Sequence, residues 1–166
     1  MAIGLGSDIE QLSSNNSGGC VAPGLHREVI SGVGNTTIAY VLKPEESGSL
    51  CLFDAADGVV YTLPAPVVGM EFDFLVTVAG TSNAYSINTD AATTFIGGGM
   101  GSFSTTVAEG GDSFAANIAS TVSIDLDSDV TGRLVGTQIK LVALSSTTWG
   151  CSGNLHGVGT LATPFG

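Results

Sequence analysis

The clearest alternation in the chain runs from Met70 to Val78. Met70, Phe72, Phe74, Val76 and Val78 fall on one side, and Glu71, Asp73, Leu75 and Thr77 on the other. A period of two with one apolar side is what a half-buried antiparallel strand requires. The same period, enriched in β-branched and aromatic residues, predicts strands over Thr36–Leu42, Ser49–Asp54, Val59–Leu63 and Ala84–Asn88. It predicts others near Val107 and over Thr121–Leu126, Thr137–Leu144 and Thr147–Cys151.

The punctuation between these runs suggests how they connect. Asp57-Gly58 is a tight-turn signal, so Ser49–Asp54 is expected to pair antiparallel with Val59–Leu63 in a hairpin. Pro64 and Pro66 cannot donate ladder hydrogen bonds and end that strand or place it on an edge. Gly97-Gly98-Gly99 and Gly110-Gly111 read as flexible corners, and Asp112 as the cap of a short helical turn carrying Phe114 and Ile118. No internal repeat is evident. Many short strands with Gly and Pro turns predict an all-β chain: a single antiparallel β-sandwich or jelly-roll-like domain over residues 25–152. A flexible N-terminal arm, residues 1–24, rich in Ser, Asn and Gly, precedes it, and a neutral C-terminal tail, residues 153–166, follows.

Composition sharpens this picture. Charged residues make up 11% of the 166-residue chain, the formal net charge is -11, and Arg27, Lys43, Arg133 and Lys140 are the cations. So few cations cannot neutralise a run of phosphates, so direct nucleic-acid binding is not expected. Phe74 to Thr89 and Leu141 to Gly166 carry no Asp, Glu, Lys or Arg, yet Gly, Ser, Thr and Asn interrupt both, so neither reads as a membrane span. A surface this poor in charge is expected to be covered by copies of the chain or by a partner. The start of the chain does not read as a secretory signal. Cys20, Cys51 and Cys151 form no CxxC pair and read as reduced thiols in a cytoplasmic product, with Cys51 a small core residue.

Candidate chemistry is sparse. His26 and His156 are the only histidines, and nothing in their spacing brings a nucleophile to either. Asp125, Asp127 and Asp129 form DxDxD, the most metal-like pattern in the chain and a weak one. Val130 and Gly136 stand where a calcium loop of the EF-hand kind needs Gly and Glu. The pairs Glu45 with Glu46, Glu71 with Asp73, and Glu109 with Asp112 could be proposed as acid and base, but read as surface carboxylates. The run IGGGMGS, residues 96–102, lacks the Lys-Ser/Thr of a phosphate loop and reads as a bend or subunit contact. No catalytic, cofactor-binding or firm metal residues are expected, and no cofactor.

Two longer stretches resemble a known group. "ESGSLCLFDAADGVVYTLPAPVVGMEFDFLV", residues 46–76, resembles a pattern in small structural proteins of tailed bacteriophages, with an SGS strand start, a TLPAP junction, a glycine and a strongly alternating strand. "GTQIKLVALSSTTWGCSG", residues 136–153, is similar to their closing hairpin, although Cys151 and the tail ending TLATPFG depart from it. The nearest likeness is to capsid decoration, or cement, proteins. It implies a non-enzymatic homotrimer on the capsid exterior of a virion, bound to the major capsid protein at capsomer junctions and independent of nucleic acid and membrane. The alternative is a carbohydrate-binding or host-attachment module of a phage fibre or minor virion protein, for which an exposed Trp149 would be the stacking platform.

Overall fold

In a computed structural model, residues 27–32, 38–106 and 110–166 are described. The arm expected at 1–24, and with it Cys20, His26, Val107 and Glu109, lies outside the described residues. The described chain is almost entirely β, with two mixed sheets and one short 3-10 turn at Pro44–Glu46.

In chain order the strands are β1 (Val29–Ser31), β2 (Ile38–Val41), β3 (Leu50–Phe53), β4 (Val59–Thr62), β5 (Glu71–Val76) and β6 (Tyr85–Asn88). They continue with β7 (Phe95–Ser104), β8 (Gly111–Ala116), β9 (Ser123–Leu126), β10 (Gln138–Ala143) and β11 (Thr148–Gly157). One sheet has seven strands in the order β1-β3-β5-β10-β11-β7-β8, and the other has four, β2-β4-β6-β9.

The first six strands alternate between the sheets, so each sheet gains parallel neighbours. β1, β3 and β5 are parallel in one sheet, and β2, β4 and β6 are parallel in the other. Val29 is in register with Leu50 and Ile38 with Val59, so the first winding returns at the same interval on both sheets. The next is longer, Leu50 to Asp73 and Val59 to Tyr85. This is a coil wound around one core, and it corrects the expected antiparallel sandwich. It also gives the chain a repeated geometry without a repeated sequence.

The predicted hairpin across Asp57-Gly58 is the clearest correction. Gly58 adopts a φ of 107°, which favours glycine, and its N–H closes the turn on the Ala55 carbonyl at 3.0 Å. The turn sends the chain across the core instead of back along the same sheet edge. β3 and β4 therefore meet face to face: Cys51 and Phe53 point inward from one sheet, Val59 and Tyr61 from the other, and the rings of Phe53 and Tyr61 lie 5.4 Å apart. Asn83 Nδ2 donates to the Asp57 carbonyl at 2.6 Å, stacking the next corner on this one.

β10 and β11 form an antiparallel hairpin inserted between β5 and β7. β7 and β11 then run parallel for ten residue pairs, Thr148↔Phe95 to Gly157↔Ser104. The glycine run read as a corner is thus the middle of a long strand. Gly98, at φ 108°, occupies a place where a Cβ would fall on the Cys151 carbonyl oxygen, and a Cβ on Gly153 would fall on the Gln138 carbonyl oxygen. Close backbone approach, not flexibility, is the reason for these glycines. Asp112 and Phe114, expected in a helical turn, belong to β8, which pairs antiparallel with β7.

The core confirms the alternation of β5. Phe72, Phe74 and Val76 are buried, whereas Val78, beyond the strand end, is exposed. Phe53, Tyr61, Phe74 and Tyr85 form one aromatic cluster with ring separations of 4.8 to 6.0 Å. Burying one such ring contributes roughly 1.5–3 kcal/mol. Two tyrosines of the smaller sheet also reach backbone across the core: Tyr61 Oη donates to Leu52 O of β3 at 2.8 Å, and Tyr85 Oη to Val78 O, just past β5, at 2.8 Å. Desolvation raises both phenols, Tyr85 to about 12.

The boundary expected between residues 152 and 153 is not a break, because β11 continues to Gly157. The last residues lie along the free edge of β9. Asp125 N donates to Pro164 O at 2.7 Å, Val122 N to Gly166 O at 2.8 Å, and Phe165 packs on the core.

Candidate functional site

The three aspartates singled out by sequence do not converge. Asp125, on β9, accepts Ser86 Oγ at 2.5 Å and Ser123 Oγ at 2.6 Å. Asp127 accepts Thr131 Oγ1 at 2.9 Å in the turn that follows, and Asp129 pairs with Arg133 at 2.8 Å. Each carboxylate has its own local partner. Among the described residues, no group of three His, Cys, Asp or Glu side chains is placed to hold a metal ion.

The acid and base pairs Glu45 with Glu46 and Glu71 with Asp73 are likewise engaged separately, and Glu109 of the third pair lies outside the described residues. Glu45 and Glu46 lie in the 3-10 turn, not in a strand, and Glu46 is buried instead of superficial. Its carboxylate accepts Tyr40 Oη at 2.6 Å and Lys43 N at 2.7 Å, so it closes the corner between β2 and β3. That bond to Glu46, with burial, pushes the Tyr40 phenol up to about 12. Glu71 pairs with Lys140 at 2.7 Å and Asp73 with Arg27 at 2.5 Å. Lys140 is raised, chiefly by its hydrogen bond to Glu71. Cys51 and Cys151 are buried free thiols, and desolvation raises both, Cys151 to about 11. His156 lies beside the Phe103 ring, 6.2 Å between centroids. Trp149 is fully buried against Phe72 and offers no exposed platform.

Among the described residues, two surfaces stand out. The first is apolar. Val67, Val68 and Leu144 are large exposed side chains, with Val68 at 69% the most exposed large apolar residue described. Gly69 N donates to Ala143 O at 3.0 Å, which holds the Val67–Val68 loop beside the end of β10 where Leu144 emerges. Leu144 itself covers Gly150, where a Cβ would lie 2.9 Å from the Leu144 side chain and push it aside. The sequence carried a signal for this patch: adjacent valines after a Pro-Ala-Pro run cannot both turn inward.

The second is a groove of about 400 Å³ on the outer face of the larger sheet, crossing β3, β5, β10 and β11. Arg27, Asp73, Lys140, Gln138, Ser152 and Asn154 supply its polar groups, and Leu50 and Leu75 its apolar ones. Register explains the grouping: Asp73, Lys140 and Ser152 form one cross-strand row, and Leu75, Gln138 and Asn154 the next. Arg27 is fixed at the rim by donating to Gly48 O at 2.7 Å and Ser49 O at 2.9 Å as well as to Asp73. In the sequence Asp73 is singled out only as a partner for Glu71, and Arg27 and Lys140 only as cations; Gln138, Ser152 and Asn154 do not stand out, because their meeting depends on strand order.

Compared with known protein families, with characterised proteins and with solved structures, the chain matches none.

Proposed function

We propose that the chain is a virion structural protein, a cement or decoration subunit that attaches to the outside of a tailed-phage capsid and stabilises the head. In this reading it is a homotrimer seated on the major capsid protein at capsomer junctions. The observation that carries it is the exposed Val67–Val68–Leu144 patch on a chain in which only 11% of residues are charged. Exposed aliphatic side chains on a loop held by a backbone hydrogen bond are suited to burial against a preformed surface. Binding the assembled shell and not its dissociated parts would stabilise the shell by mass action. The resemblance of residues 46–76 and 136–153 to phage structural proteins supports the same reading.

Cosedimentation with capsid shells lacking the protein tests it, alongside the solution mass of the purified 16.6 kDa chain. Saturable attachment and a trimeric mass are expected. A Val68→Asp/Leu144→Asp variant should keep its fold and bind at least roughly tenfold more weakly, since each aliphatic side chain buried contributes about 1.5–3 kcal/mol. A folded monomer that does not attach to shells would sink the proposal.

A further inference from the structure

The groove on the outer face is electrically closed. The chain carries a formal net charge of -11, yet both cations here are matched: Arg27 by Asp73 at 2.5 Å and Lys140 by Glu71 at 2.7 Å. An anionic ligand would find no free cation in the groove and a repulsive field around it. The other polar groups are different. Gln138 and Asn154 are direct register partners on β10 and β11, so their side chains leave the sheet about 5 Å apart. Among the described residues, neither these amides nor the Ser152 hydroxyl has a hydrogen-bond partner within the protein.

An exposed aromatic ring continues the line. Phe103, on the outer face of β7, is 52% exposed. A Cβ built on Gly101, the register partner of Asn154, would lie 3.5 Å from Asn154 Oδ1 and 3.8 Å from the Phe103 ring. The amide and the ring therefore both flank the bare backbone of Gly101, and His156 lies beside the ring. Phe103, Asn154, Gln138 and Leu75 form a row roughly 10–15 Å long, two to three strand spacings.

We propose that this row is a binding site for a neutral glycan. The ring and the leucines would meet the C–H face of a pyranose, and the paired amides and Ser152 would meet its hydroxyls. The sheet's backbone groups at this place are consumed in the ladder, so an added peptide strand could not dock here through its main chain. A neutral ligand that hydrogen-bonds through many small groups fits the remaining donors and acceptors. The site is on the sheet face and does not rest on attachment to a capsid.

The test is a titration of the ¹⁵N-labelled full chain with neutral oligosaccharides (maltohexaose, cellohexaose, chitohexaose and a mannan oligomer), followed by NMR. At least one is expected to shift the Gln138 and Asn154 side-chain amide signals saturably below about 10 mM, a range that includes weak specific binding. Phe103→Ala and Gln138→Ala should each weaken that binding by roughly three- to tenfold, the share of one modest contact, with unchanged melting temperature. Three results would overturn the proposal: no shift with any of the four sugars, shifts confined to other surfaces, or variants that bind like the original chain. Loss of capsid attachment with intact sugar binding would reject the cement reading alone.

Discussion

The two halves of the molecule hold the same two-layer architecture by opposite means. In the first, β1 to β6, side chains fill the space between the sheets: Phe53, Tyr61, Phe74 and Tyr85 stack across it, and two phenols reach the opposite backbone. In the second, β7 and β11 run side by side for ten residue pairs with glycine at 97, 98, 99, 101, 150, 153 and 157, and at 98, 99, 153 and 157 the limit is space for neighbouring backbone. Filling fails when atoms are removed, and close approach fails when atoms are added.

The largest expected effect removes atoms from the filled half. Phe53→Ala should cost about 3–5 kcal/mol, as ring deletions in packed cores do, read as a fall in the denaturant midpoint. A cost below about 1 kcal/mol would mean that the aromatic cluster does not carry the first half.

Next comes an added atom in the other half. Gly98→Ala combines a φ of 108° with a collision at the Cys151 carbonyl and should cost about 1–3 kcal/mol or more. Gly69→Ala, with a φ of 91° but open space around it, isolates the conformational part and should cost only about 1 kcal/mol. Equal melting of the two variants would remove the distinction between strain and crowding.

The smallest effect sharpens the comparison at the corner between β2 and β3. Tyr40→Phe removes the bond to Glu46 and should cost about 1 kcal/mol at neutral pH. Because folding raises the Tyr40 phenol from 10.0 to about 12, its contribution is complete below pH 10 and declines as pH rises toward 12. The variant's stability should therefore fall less steeply than the original's over that interval. All three tyrosines lie in the first half, so phenolate absorbance during the titration reports on that half alone.

Much of the local structure was legible. Phe72, Phe74 and Val76 were identifiable as core from alternation, Cys51 as a small buried residue, and β9 and β10 to within about two residues. β1 and β8 were not, since three residues in one and GDSFAA in the other carry little apolar pattern. β7 was hidden by its glycines, whose usual meaning is a turn. Of the candidate surfaces, Val67 and Val68 could have been found as adjacent valines in a loop, whereas Gln138, Asn154 and Phe103 meet only because β10, β11 and β7 are neighbours.

What the sequence by itself determined is which side of each strand faces the core, because alternation fixes the direction of a side chain from its immediate neighbours. What only the tertiary structure decided is which strands lie together. Backbone donors and acceptors on strand edges are nearly alike for every sequence, so Asp57-Gly58 can close a hairpin or carry the chain across a core. The choice falls to packing at a distance: Tyr61 beneath Phe53, the glycines of β7 against β11, and the β10–β11 hairpin set between two strands that the coil alone would have made neighbours.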